Sequence, residues 1–147
     1  MADKFRPVSA RLKEARDKGP SAPEARHLLT VQEQIEAIGR GDYEAALRQA
    51  HPDVEFRISA PREFPFVRQA RGVDALRRAM AQNFSAIEDQ RPEITNLVVQ
   101  EDVLVMIGTE RGRIRATGAT YNMDFVHRFT FEDGALKSIQ IIAARAS

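Results

Sequence analysis

Tyr121-Asn122-Met123-Asp124-Phe125-Val126-His127-Arg128-Phe129-Thr130-Phe131-Glu132-Asp133-Gly134-Ala135-Leu136 is the stretch that decides the fold. From Tyr121 to Phe131 every second residue is aromatic or apolar except His127, and Asn122, Asp124, Val126, Arg128 and Thr130 take the places between. A period of two is that of a half-buried strand, whose side chains point alternately to opposite faces. Asp133-Gly134 is a strong two-residue hairpin signal, so the run 136–145 is expected to return antiparallel to it.

Working upstream, 103–115 and 94–100 also read as strands, with short connections at Glu101-Asp102 and around Gly118. Short connections imply antiparallel neighbours, hence a four-strand meander. Ahead of it Leu28, Val31, Ile35 and Ile38 recur at helical spacing and stop at Gly39 to Gly41. Asp42 is expected to cap a second, shorter helix with Tyr43, Ala46, Leu47 and Ala50 inward, closed by His51-Pro52-Asp53. Val54, Phe56 and Ile58 alternate as a strand that ends at Pro61. The stretch 61–72, with Phe64, Phe66 and Val67, is a loop too apolar to be simply solvated. A third helix is expected from Asp74, with Leu76, Met80, Phe84 and Ile87 inward and Arg91-Pro92 at its end. The order is α-α-β-α-β-β-β-β, an α+β plan with its helices on one face of a curved antiparallel sheet.

The 147 residues fit one domain. Its body is expected at 24–147. Residues 1–23 read as a polar N-terminal extension ending in Gly19-Pro20-Ser21-Ala22-Pro23, either a mobile tail or a short docked helix around 9–18. Cysteine is absent, so disulfides and thiolate chemistry are excluded and a reducing cytoplasm is allowed. The 22 basic and 21 acidic residues nearly balance; seven Lys/Arg against four Asp/Glu fall in residues 1–30, which leaves the body slightly acidic. That balance argues against nucleic acid as a partner, despite Arg111-Gly112-Arg113-Ile114-Arg115. No apolar run reaches a membrane span of about 18 residues, and no signal-peptide pattern opens the chain, so a cytoplasmic protein is expected. His27, His51 and His127 have no metal-ligand spacing, so neither a metal nor another cofactor is expected. Asn83-Phe84-Ser85 matches a glycosylation sequon but falls in an expected helix.

The strings Gly41-Asp42-Tyr43-Glu44-Ala45-Ala46-Leu47, His51-Pro52-Asp53-Val54-Glu55-Phe56, Gly72-Val73-Asp74-Ala75-Leu76-Arg77 and Phe129-Thr130-Phe131-Glu132-Asp133-Gly134-Ala135-Leu136 follow in this order. In that order and spacing the chain, over about 24–145, resembles the SnoaL-like and ketosteroid-isomerase-like families of the nuclear transport factor 2-like superfamily. The resemblance implies a cone in which the sheet wraps three helices around an apolar pocket, and a homodimer through the sheet's outer face. It also implies where ketosteroid isomerases hold their catalytic groups. The general-base position falls on Ile58, the tyrosine position on Gln34, and the second-acid position on His127. Two of the three roles are thus unmatched, which disfavours that mechanism.

His127 is the polar residue on an otherwise apolar strand face. A neutral imidazole there can move a proton near neutral pH; the ordinary alternative is a core histidine bonded to a carbonyl. The expected pocket wall is Tyr43, Phe56, Ile58, Phe66, Phe84, Tyr121, Met123, Phe125 and Ile141. Glu110 is a possible acid beside His127, but one residue of slip in the turn at 116–120 exchanges its facing with that of Arg111. Arg57 and Arg62, with Glu63, either grip an anionic oxygen at the pocket mouth or are solvated.

Two functions remain open from the sequence. One is a small-molecule isomerase, cyclase or dehydratase acting by general acid–base chemistry on an apolar carbonyl compound. The other is a non-catalytic ligand-binding or dimeric assembly module with the same fold. Ile139, Ile141 and Ile142 straddle both faces of the last strand, which implies a covered outer face.

Overall fold

The computed structural model describes residues 2–146, and side chains from residue 4 onward. A 3₁₀ turn, Ala2–Phe5, leads into helix α1, Arg6–Asp17. Phe5, Val8 and Leu12 recur at spacings of three and four, and all three are buried in the cluster that also holds Leu28 and Val31. The segment expected as an extension therefore contributes to the core, and its helix begins earlier than residue 9. Burying a leucine such as Leu12 fully is worth about 1.5–3 kcal/mol.

Helix α2, Ala22–Gly39, starts at a capping box. The Glu24 N–H donates to Ser21 Oγ at 3.3 Å, and the Ser21 N–H donates to Glu24 Oε1 at 3.1 Å. Both satisfy donors that a helix start otherwise leaves bare. Asp42 caps the single turn α3, Tyr43–Ala46, through its carboxylate and the Ala45 N–H at 3.0 Å. This helix is shorter than expected, because the chain is already strand at Ala50: β1 is Ala50–Ser59.

The loop after β1 contains a short strand that sequence periodicity does not reveal, β2, Gln69–Arg71. Three residues are too few to set a period. Helix α4, Val73–Ser85, is capped at Gly72 rather than at Asp74, and it ends six residues before the expected Arg91-Pro92 stop. Ile87 belongs instead to β3, Ile87–Gln100, which is followed by β4, Val103–Ile114, β5, Thr120–Glu132, and β6, Ala135–Arg145.

Among the described residues these strands form one open six-stranded sheet in the order β2-β1-β6-β5-β4-β3. Every pairing is antiparallel except β1 with β6, which is parallel. Asp133 (φ 51°) and Gly134 (φ 82°) make the expected β5–β6 hairpin with two left-handed residues. Strand β3 carries two register shifts, at Glu88/Arg91 and Ile94/Asn96, and such bulges bend a strand and increase its twist. The inner face supplies Leu104, Met106, Phe129 and Leu136 to the core, packed against Leu28, Val31 and Leu76 of the helices.

Candidate functional site

β4 and β5 pair without a break from Val103↔Thr130 to Arg113↔Thr120. Met106 therefore faces His127, Gly108 faces Phe125, and Glu110 faces Met123. The uninterrupted ladder settles the facing that the sequence left open: Glu110 lies on His127's side of the sheet, and Arg111 on the other.

Both side chains border a cavity of about 120 Å³ between the sheet and the helices. Phe56, Ile58, Phe66, Phe84, Met123, Phe125 and Ile141 are in its wall, as are Gln34 and Asn83. The three positions implied by ketosteroid isomerases, Ile58, Gln34 and His127, thus face one space. Tyr43 and Tyr121, expected in the wall, stand behind it. Tyr43 stacks on Phe84, a wall residue, with centroids 6.1 Å apart. Tyr121 is joined to the wall through Glu110. Arg57 lines a groove on the outer face with Arg71 and Arg128, so it is not at the cavity. Arg62 is exposed, and Glu63 pairs with Arg145.

The wall is held by polar clamps. Asn83 Oδ1 accepts from the Val67 N–H at 2.7 Å, and Asn83 Nδ2 donates to the Val67 carbonyl at 3.0 Å. Arg68 donates to the carbonyls of Ala60, Pro61 and Phe64 at 2.7, 2.9 and 3.0 Å. Together they fix the loop that presents Phe66 to the cavity. The sequon asparagine is therefore buried and engaged with backbone.

A second feature is a polar cluster at one side of the cavity. Tyr121 Oη donates to Glu110 Oε2 at 2.7 Å, and Gln90 Nε2 donates to Glu110 Oε1 at 3.1 Å. Sequence reasoning missed Gln90. The expected third helix runs through Ile87 to Arg91-Pro92, and in the strand β3 that stands there, alternation from the buried Ile87 would put Asp89 inward and Gln90 outward. At the Glu88/Arg91 bulge Asp89 takes φ 54° and turns out, so Gln90 turns in. The positive φ of a non-glycine residue is the local mark of that switch. Gly112 makes room for Tyr121: a Cβ there would lie 2.5 Å from Tyr121 Oη. At the tip of the same strands Arg113 pairs with Glu88 and Asp89, and Arg115 with Glu88, which accounts for much of the arginine cluster.

Burial shapes the electrostatics. Desolvation raises the Glu110 carboxyl above its ordinary value, while the bonds from Tyr121 and Gln90 and the nearby Lys4 ammonium oppose the rise. Desolvation likewise raises the Tyr121 phenol, reinforced by the Glu110 charge, so Tyr121 stays a donor. Desolvation lowers the His127 imidazole to about 4. His127 has no hydrogen-bond partner within the described residues; it tilts against Phe125 at 4.7 Å and Phe129 at 6.2 Å between ring centroids. At neutral pH the cavity thus contains a neutral imidazole and a carboxyl that ionises reluctantly.

Among the described residues no three His, Asp or Glu side chains converge as metal ligands, and no helix is long and apolar enough to cross a membrane.

An NTF2-like protein from Burkholderia xenovorans LB400 has a TM-score of 0.68 to this chain at 26% identity, covering 81% of this chain and 89% of the other. A candidate SnoaL-like polyketide cyclase from Jannaschia sp. CCS1 reaches a TM-score of 0.72 at 15% identity, over 85% and 90% of the two chains. TerC, co-crystallized with polyporic acid, reaches 0.66 at 22% identity, over 81% and 92%. No curated protein matches. The SnoaL-like domain model matches residues 31–139, from the middle of α2 into β6. With that match covering most of its length, and its helices folded against an open curved sheet, the chain belongs to the SnoaL-like family on the NTF2-like fold.

Proposed function

We propose that this chain binds a small cyclic carbonyl compound and moves a proton next to its carbonyl, the first step of an isomerisation, a cyclisation or a dehydration. The observation that carries the reading is one apolar cavity bordered by both a reluctant carboxyl, Glu110, and a neutral imidazole, His127. The volume suits a single ring, since a dry cavity of roughly 150 Å³ accepts benzene.

The two groups divide the work by proton affinity. An imidazole held at about 4 is too weak a base to draw a proton from carbon near neutral pH. It is instead a hydrogen-bond donor that stays uncharged, suited to a carbonyl oxygen that gains negative charge. Glu110, raised by burial, is the stronger base. Its carboxylate takes the proton from the carbon beside the carbonyl, the C–H electron pair moves into the enolate, and the His127 N–H donates to the enolate oxygen. Returning the proton to carbon completes an exchange or, at another carbon, an isomerisation. Small-molecule relatives support the class of chemistry: the Jannaschia protein is a candidate polyketide cyclase, and TerC was crystallized with polyporic acid.

Deuterium incorporation at C2 of cyclohexanone in heavy water, followed by NMR, tests this reading. The protein should accelerate it over buffer, and Glu110→Gln should lose about 100-fold or more. Undiminished exchange in Glu110→Gln would end the assignment.

The outer face favours assembly as a second property. Val98, Ile107 and Ile142 are 55%, 38% and 50% exposed, and Val126 sits between Ile107 and Ile142 in the sheet register. We propose that this row pairs with its copy in a homodimer, since contiguous apolar surface is costly in water. Sedimentation at micromolar concentration should find a dimer that Ile142→Glu dissociates; a wild-type monomer contradicts it.

A further inference from the structure

Gln90 is 7% exposed, and its amide is spoken for on one side only. Nε2 donates to Glu110, while Oε1 is buried and has no hydrogen-bond partner within the described residues. The orientation is dictated locally. An ionised carboxylate accepts only, so the amide turns its N–H toward Glu110 and its carbonyl away. Gln90 is itself part of the cavity wall. The bulge at Asp89 therefore brings into the wall of an apolar space a side-chain amide that the regular strand would have turned to water.

A buried acceptor left unpaired costs free energy, and a ligand that brings a donor recovers it. We propose that Gln90 Oε1 reads a hydroxyl on the bound molecule, so that the ligand is a single ring carrying a hydroxyl as well as a carbonyl. A hydroxyl fits better than an amine. The wall is otherwise mostly apolar, and the Glu110 carboxylate, which alone in the wall could pair a buried ammonium, already accepts from Tyr121 and Gln90. Gln90 is thus a specificity residue: His127 addresses one oxygen of the ring, and Gln90 the other. The carbonyl half of this assignment rests on the acid–base reading of the cavity; the hydroxyl half rests on the orphaned acceptor.

Paired ligands test it without altering the protein. NMR titration should find the better of 3- and 4-hydroxycyclohexanone bound about tenfold more tightly than cyclohexanone. Gln90→Met, which keeps the bulk and removes both the acceptor and the donor to Glu110, should equalise the affinities for the hydroxylated and plain rings. Equal affinities in the wild-type protein, no measurable binding of either hydroxylated ring at millimolar concentration, or a preference retained in Gln90→Met would overturn the inference. Proton exchange separates the two proposals. Exchange with no hydroxyl preference breaks only the role of Gln90, whereas a Gln90-dependent preference with no exchange breaks only the acid–base reading.

Discussion

His27 on α2 and His127 on β5 both lie against phenylalanine rings, but the rim around the first supplies a partner and the cavity around the second does not. His27, 2% exposed, stacks flat on Phe131 with centroids 3.9 Å apart, and its Nε2 meets Asp102 Oδ1 at 3.0 Å. Asp102 lies in the β3–β4 turn, where the neighbouring Glu101 N–H donates to Glu24 at 3.0 Å. His27 is therefore a tie between a helix and a turn. His127 tilts by 49° against Phe125 and borders the cavity. Burial alone does not mark a reactive histidine; what distinguishes them is that Nε2 of His27 already has a side-chain partner, although its Nδ1 is buried without one.

The largest way to break that contrast is through pH. Unfolded, His127 binds a proton below about 6.5, but in the folded protein only below about 4. Between those values His127 binds more protons in the unfolded chain, so its contribution to stability falls as pH falls from 6.5 to 4, by on the order of 3 kcal/mol, while the raised Glu110 carboxyl acts in the opposite direction. Denaturant titrations across this window should record that loss, and His127→Phe should flatten it. An unchanged slope in His127→Phe would mean that another group carries the dependence.

A smaller effect is expected at Gly112. An alanine Cβ there collides with the Tyr121 hydroxyl, so Gly112→Ala should destabilise the fold by about 1–3 kcal/mol. By displacing Tyr121 it should also remove a bond that favours the Glu110 carboxylate, moving the midpoint of proton exchange to higher pH. Tyr121→Phe should move that midpoint in the same direction.

The smallest effect sharpens the contrast from the rim. Asp102→Ala should cost about 1 kcal/mol, because the carboxylate is 68% exposed and loses one bond. Exchange of cyclohexanone should not change. A drop in exchange would mean that the tie at His27 shapes the cavity after all.

What the sequence could not disclose lies where local periodicity fails. Alternation along β5 suffices to put Met123, Phe125, Phe129 and Phe131 on one face and Asp124 and Arg128 on the other. Glu110 was undecidable because its facing depended on the length of a turn. Ile114 and Ala119 close that turn with a 2.8 Å backbone hydrogen bond, and only the resulting register resolves it. Gln90 was hidden because 87–92 reads as the end of a helix; in the strand that stands there, Asp89 at positive φ reverses the parity until the second shift at Ile94/Asn96 restores it. Tyr43 was misplaced by a single layer, since facing inward does not guarantee bordering the space within. Phe5, Val8 and Leu12 carry a helical spacing, but three apolar residues in a polar segment do not specify what they pack against.

The match to the SnoaL-like model begins at residue 31 and stops at 139, yet Leu12 lies fully buried outside those limits. A fragment trimmed to the span of shared ancestry would start halfway along α2, lose helix α1, whose Val8 and Leu12 share the core cluster of Val31, and end midway through a strand paired on both sides. The unit that kinship recognises is smaller than the unit that folds, and excision at its borders should yield an aggregating protein rather than a minimal one.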